Sequence, residues 1–199
     1  NTICQQFVGD EVDAIVAIAT NAAQSAAAAT SDIPIIFSAV TDPVAAQLLS
    51  GPTAPDGNAT GTSDAIAVDQ IFALAEELTP GIQTYGFIYN LGEVNSVSVI
   101  SDAKAYLDEQ DIAYVESTVT NSGEVSQSAQ ALLDQGADAI FVPIDNTVAS
   151  AMTNLSDIAT QAQVPVYVAA DSMVKDGALA TVGVNYTNLG KQAAAMAVK

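Results

Sequence analysis

The stretch AIFVPIDNTVAS, residues 139–150, joins two different chemistries. Ala139 to Ile144 is a short apolar run rich in β-branched and aromatic side chains, which reads as a buried strand. Asp145-Asn146-Thr147 is abruptly polar, and a helix-favouring segment follows it. Asp, Asn and Thr are preferred helix N-caps. A cap needs one such residue, however, and here three stand where a strand would end.

Outward from this point the same alternation repeats. Strands are expected at 12–20, 33–40, 84–90, 113–120, 139–144, 164–171 and 179–185. Helices are expected at 21–30, 42–49, 67–78, 95–110, 123–136, 147–162 and 187–198. The helix at 67–78 places Ile71, Leu74, Ala75 and Leu78 on one face. Gly136 suits a helix C-cap. Residues 50–64, with three Gly and two Pro and little apolar content, read as a loop or hinge. Near-continuous apolar strands alternating with helices imply parallel sheets covered on both faces. The fold class is therefore α/β, with two Rossmann-like lobes. An Asp precedes the apolar run in both VDAIV and ADAIF, at matching places in the two halves. The lobes are expected at 1–61 with 184–199, and at 62–183, with crossings near Gly61-Thr62 and Gly183-Val184.

The composition narrows the function. The chain has 199 residues, half of them hydrophobic, enough for a substantial core. It carries 23 Asp and Glu against four Lys, with no Arg and no His, for a formal charge of −19. Nucleic acid and anionic membrane surfaces are disfavoured, because both need clustered cations. No apolar run is long enough to span a bilayer. Without His there is no Ser-His or Cys-His pair and no histidine metal ligand. The single Cys4 excludes an intrachain disulfide and a two-cysteine racemase, and it reads as a small core hydrophobe on a helix. Neither a G-x-x-x-x-G-K-[ST] loop, nor a G-x-G-x-x-G loop after a strand, nor an acidic calcium loop is present. No catalytic, metal or cofactor residues are assigned. A binding protein is expected, not an enzyme.

In parallel α/β sheets, ligands sit beyond the carboxyl ends of the strands. The candidate ligand residues are therefore Thr20, Asn21, Ser38, Thr41, Asp42, Tyr89, Asn90, Glu93, Asn95, Ser96, Asp145, Asn146 and Asp171. Asp145 is the expected ligand anchor, because Asn146 and Thr147 can cap the helix in its place. Asp171 is the second candidate.

Several stretches, VDAIVAIATNAAQ, IPIIFSAVTDPVAAQL, NATGTSD, FIYNLGEVNS, FVPIDNTV and GALATVGVNYTNLG, together resemble the substrate-binding proteins of ABC importers of the tryptophan/tyrosine type. The resemblance runs in register from about residue 7 to 199. It implies the type I periplasmic-binding-protein fold, with the first lobe incomplete by a strand–helix–strand region of roughly 60 residues at ~30 per βαβ step. The start at Asn1, without Met, fits an excised segment of a longer protein. The implied function is an extracytoplasmic receptor, periplasmic or lipid-anchored. It would capture an amino-acid-like ligand in a cleft between hinged lobes and, as a monomer, deliver it to a membrane permease. For such a ligand, Asp145 would hold the ammonium group. The alternatives are a ligand-sensing domain of a receptor or transcription regulator with the same fold, and a carboxylate-dependent enzyme.

Overall fold

A computed structural model describes residues 2–51 and 57–199. The chain divides into two compact units, one of residues 1–65 with 185–199 and the other of residues 66–184.

The first unit holds a three-stranded parallel sheet in the order β1-β2-β3, formed by β1 (Ile15–Ile18), β2 (Ile35–Ser38) and β3 (Ala59–Gly61). β2 is central and buried along its whole length. β1 alternates buried Ile15 and Ala17 with exposed Val16 and Ile18. Helix α1 (Thr2–Gly9) lies against α2 (Thr20–Ala29), and Cys4 on α1 is half-buried. A late helix, Tyr186–Ala197, returns to pack along β2 and β3.

β3 was not expected: it falls in the segment read as loop or hinge, part of which (52–56) lies outside the described residues. Its cause is steric. Gly61 pairs with Phe37, and a Cβ there would sit 2.0 Å from the Phe37 carbonyl oxygen and 2.5 Å from its ring. Only glycine lets the backbones approach this closely. Gly61 is thus a strand residue, and the units divide after Ala65. The helix expected at 42–49 is instead a series of turns, tied by the Ala46 and Leu48 N–H groups bonding to the Asp42 and Pro43 carbonyls.

The second unit is built on one parallel sheet in the order β5-β4-β6-β7, from β4 (Thr84–Asn90), β5 (Ala113–Val119), β6 (Ala139–Val142) and β7 (Val166–Val168). Its two faces support two separate cores. Ile88, Val119, Ile140, Val142, Val166 and Val168 face α5 (Val125–Asp134) and the helix Met152–Ala162. Tyr85, Phe87, Tyr89, Phe141 and Tyr167 face α3 (Val68–Leu78) and α4 (Val94–Glu109). The period of two along β4 sends Phe87 one way and Ile88 the other. The aromatic residues gather on the α3/α4 side, where Phe72 lies 4.8 Å from Tyr85, 5.4 Å from Tyr106 and 5.2 Å from Phe141, centroid to centroid. The buried face of α3 is Val68, Ile71, Phe72 and Ala75; Leu78, expected inside, is half exposed.

Two local expectations are corrected here. The helix expected over 147–162 is two helices, α6 (Asn146–Ala149) and α7 (Met152–Ala162), broken at Ser150-Ala151. A short α8 (Asp171–Lys175) follows β7, and the chain ends with α9 (Tyr186–Ala197). Residues 179–185 form no strand; among the described residues their β pairing is one isolated bridge, Tyr167 to Ala180, and Ala180 and Val182 pack against the aromatic core on that side of the sheet.

Gly61→Ala is expected to destabilise the first unit by about 3 kcal/mol, at the upper end of overpacking costs. Denaturant titration checks this, and an unchanged midpoint would mean that β3 does not press on Phe37.

Candidate ligand-binding site

Because both sheets are parallel, all their strand exits lie at one edge of each sheet, and the predicted residues fall there.

In the second unit six of them meet. α6 has only four residues, so its first N–H groups lack intrahelical partners. Two carboxylates supply acceptors. Asp145 Oδ1 accepts from the Val148 N–H at 2.9 Å, and its Oδ2 accepts from the Asn90 N–H at 2.7 Å. Glu93 Oε2 accepts from the Asn146 N–H and side-chain amide at 3.0 and 2.9 Å. Its Oε1 accepts from the Thr147 N–H and hydroxyl, both at 3.0 Å. The Asn90 amide donates to Thr147 Oγ1 at 2.8 Å. The Asn95 amide and the Ser96 hydroxyl donate to the Ile144 carbonyl at 2.7 and 3.0 Å. The exits of β4 and β6 are thereby stitched together.

This corrects the expectation that Asn146 and Thr147 cap the helix in place of Asp145. Asn146 and Thr147 lie inside the helix and donate to Glu93, so Asp145 is itself the cap. It is 1 % exposed, and burial pushes its carboxyl above the usual carboxylate range. The Asn90 and Val148 N–H groups oppose that shift, and the nearby Glu93 charge adds to it. Thr147, absent from the candidate residues, is a full member of the network.

Tyr89 and Asp171 stand apart. Tyr89 is buried and its hydroxyl donates to Glu116 Oε2 at 2.8 Å; Lys104 Nζ lies 2.7 Å from the same oxygen. Burial, then the bond to Glu116, push the Tyr89 phenol up to about 12. Asp171 begins α8, is exposed, and takes no side-chain hydrogen bond from the described residues.

In the first unit the sheet edge carries buried Thr20, Ser38 and Thr41. Asn21 is exposed on α2. Asp42 is occupied locally, its Oδ1 accepting from the Val44 and Ala45 N–H groups at 3.1 and 2.8 Å. Two alanines at the exits of β1 and β2, Ala19 (φ 70°) and Ala39 (φ 56°), have positive φ. Such strain in non-glycine residues gathers at binding sites. Two further polar residues were missed from the sequence because β3 was missed. Thr62 Oγ1 lies 3.4 Å from Ser38 Oγ. Asp64 is 2 % exposed; its Oδ2 accepts from Tyr186 Oη at 3.2 Å, and its Oδ1 takes no hydrogen bond of ordinary geometry. Burial raises the Asp64 carboxyl, and the Thr41 and Tyr186 hydroxyls only partly offset this.

A family model described as ABC transporter substrate binding protein matches residues 1–199. The chain belongs to this family. A tyrosine-binding protein of Clostridioides difficile (strain R20291) is 38% identical over 198 residues, which make up 100% of this chain and 57% of that protein. The chain thus spans little more than half the length of that relative. The ABC domain from Streptococcus pneumonia in complex with L-Trp is 36% identical, with a TM-score of 0.94 over 99% of this chain and 66% of that one. A conserved domain protein from Vibrio cholerae is 41% identical, with a TM-score of 0.94 over 99% of this chain and 67% of that one. The fold of this family member is the type I periplasmic-binding-protein fold.

Two outcomes follow from the geometry. Asp145→Asn or Glu93→Gln turns an amide N–H₂ toward backbone donors, and each is expected to lower stability by about 1–3 kcal/mol. The two changes should combine less than additively because they share α6. Unchanged unfolding curves with lost ligand affinity would return Asp145 to the ligand. The second outcome concerns pH. The folded Asp64 carboxyl sits above its unfolded value of about 3.9. Its contribution is therefore fully present below that pH and lost as pH rises through the folded value. The melting temperature of Asp64→Asn minus that of the unaltered protein should be larger at pH 7 than at pH 4. A pH-independent difference would contradict the raised carboxyl.

Proposed function

We propose that this chain is the solute-capturing part of an extracytoplasmic receptor of an ABC importer and that its ligand is an aromatic amino acid. The observation that carries the reading is the 36% identity, over 99% of this chain, to a domain holding L-Trp. The tyrosine-binding relative supports the same ligand class.

The local chemistry suits a zwitterion. A ligand carboxylate needs donors, and hydroxyls at the strand exits, those of Thr20, Ser38 and Thr41 among them, can supply them. A ligand ammonium needs a carboxylate with a free oxygen. Asp145 and Glu93 do not meet that need, because both oxygens of each already accept hydrogen bonds from protein N–H or O–H groups. They instead hold Asn90, Asn146 and Thr147 in place, which is how a rigid scaffold presets a binding edge. The receptor acts as a monomer and hands its ligand to a membrane permease, with no chemical step and no cofactor.

Calorimetry on the full-length protein with L-tyrosine, L-tryptophan, L-leucine and L-glutamine tests the reading. At least one aromatic amino acid is expected to bind with a Kd below about 10 μM, near 7 kcal/mol. The aliphatic and polar amino acids should bind far more weakly. Absence of heat with either aromatic amino acid would overturn the proposal.

A further inference from the structure

Among the described residues of the first unit, Asp64 is a carboxylate out of keeping with its surroundings. It is only 2 % exposed, yet no lysine among the described residues pairs with it. A buried carboxylate without a cation is costly, and proteins retain such groups where something else supplies the compensation. The donors that reach Asp64 are hydroxyls. Tyr186 Oη bonds Oδ2 at 3.2 Å, and the Thr41 hydroxyl stands beside the group. Oδ1 is left without a partner.

Its position is as telling as its bonding. β3 ends at Gly61 in register with Phe37 of β2, and the chain is held onward by the Thr62 N–H to the Phe37 carbonyl and the Val40 N–H to the Thr62 carbonyl. Asp64 follows directly, with the Ser63 hydroxyl bonded to the Thr41 carbonyl at 2.9 Å. The carboxylate is therefore fixed at the carboxyl edge of a parallel sheet, two residues beyond Thr62, whose Oγ1 lies 3.4 Å from Ser38 Oγ, and beside the Thr41 hydroxyl. Ligands bind at this edge in open α/β sheets. A primary ammonium brings three N–H donors and one positive charge, which suit an unpaired oxygen among hydroxyl acceptors.

We propose that Asp64 is the acceptor for the ligand's ammonium group, with Tyr186 and Thr41 as positioning residues that orient its carboxylate. The assignment rests on the amino-acid-receptor reading above. It gives the first unit the residue that distinguishes amino acids from the corresponding deaminated acids.

The test compares amine-bearing and deaminated ligands by calorimetry at pH 7 on the full-length protein. The pairs are L-tyrosine with 3-(4-hydroxyphenyl)propionate and L-tryptophan with indole-3-propionate. The unaltered protein should prefer the amine by about 30-fold or more, as expected for a desolvated charge pair. Asp64→Asn should reduce that preference to within about 3-fold while leaving the deaminated acid almost unaffected. Tyr186→Phe, which removes only the hydroxyl on Oδ2, should reduce the preference several-fold, and it serves if Asp64→Asn does not fold. Equal loss for both ligands of a pair would make Asp64 a purely structural residue and overturn the inference. So would an undiminished preference in whichever variant folds, or a preference abolished by Asp171→Asn and kept in Asp64→Asn. Failure of the unaltered protein to bind either aromatic amino acid would overturn the receptor reading and this inference with it. Binding that is indifferent to residue 64 would overturn the inference alone.

Discussion

Asp145 holds the exits of two neighbouring central strands together. Its two oxygens reach the Asn90 N–H at the end of β4 and the Val148 N–H in the first turn of α6. The constraint behind this is general: a helix that begins at the end of a buried strand presents N–H groups away from water, and each needs an acceptor. With four residues, α6 has almost no bonds of its own to offer. Glu93 takes the N–H groups of Asn146 and Thr147, so two carboxylates cap one short helix from two directions. The ordered edge of the second sheet depends on that double cap. Those donors offset part of what burial costs two neighbouring acids, although burial and the Glu93 charge still hold the Asp145 carboxyl up.

The apolar strands were legible because burial on both faces demands an unbroken apolar run. Ile35-Ile36-Phe37 and AIFV at 139–142 meet that demand, and both are buried throughout. β3 was not legible, because Ala59-Thr60-Gly61 has no run and exists by virtue of what it lacks. A missing Cβ at Gly61 admits the Phe37 carbonyl. The apolar residues of 179–185 gave the opposite error, since one bridge to Tyr167 is all the pairing they make. At the site, the polar triplet after β6 correctly marked the sheet edge. Which of its members caps the helix could not be read locally, because the deciding partner, Glu93, lies more than fifty residues away. Asp64 was hidden with the strand that positions it.

The composition gives these details a common cause. A chain with 23 acids and four lysines cannot neutralise its carboxylates with its own cations. Most stay in water, where the charge favours solubility. The buried ones must find other compensation, and the described residues show two kinds. Exposed Glu116 needs neither, because it meets a lysine: what desolvation it has works against its charge, but Lys104 and the Tyr89 hydroxyl outweigh it and lower its carboxyl. Asp145 and Glu93 meet backbone N–H groups at a helix start. Asp64 meets hydroxyls, and incompletely.

That ordering separates structural acids from one suited to a ligand. A carboxylate already filled by rigid N–H donors gains little from an arriving ammonium, because binding would have to displace bonds the fold depends on. A carboxylate held by hydroxyls can accept one readily, since a hydroxyl rotates and can serve as donor or acceptor. Low dielectric then strengthens the new ion pair as it would not at an exposed acid such as Asp171. The same feature that makes Asp64 unfavourable in isolation, burial with an unmet oxygen, is the one that would make its interaction with a cation strong. On this argument the search for the ammonium partner in such a receptor begins with the acid whose donors are fewest relative to its burial.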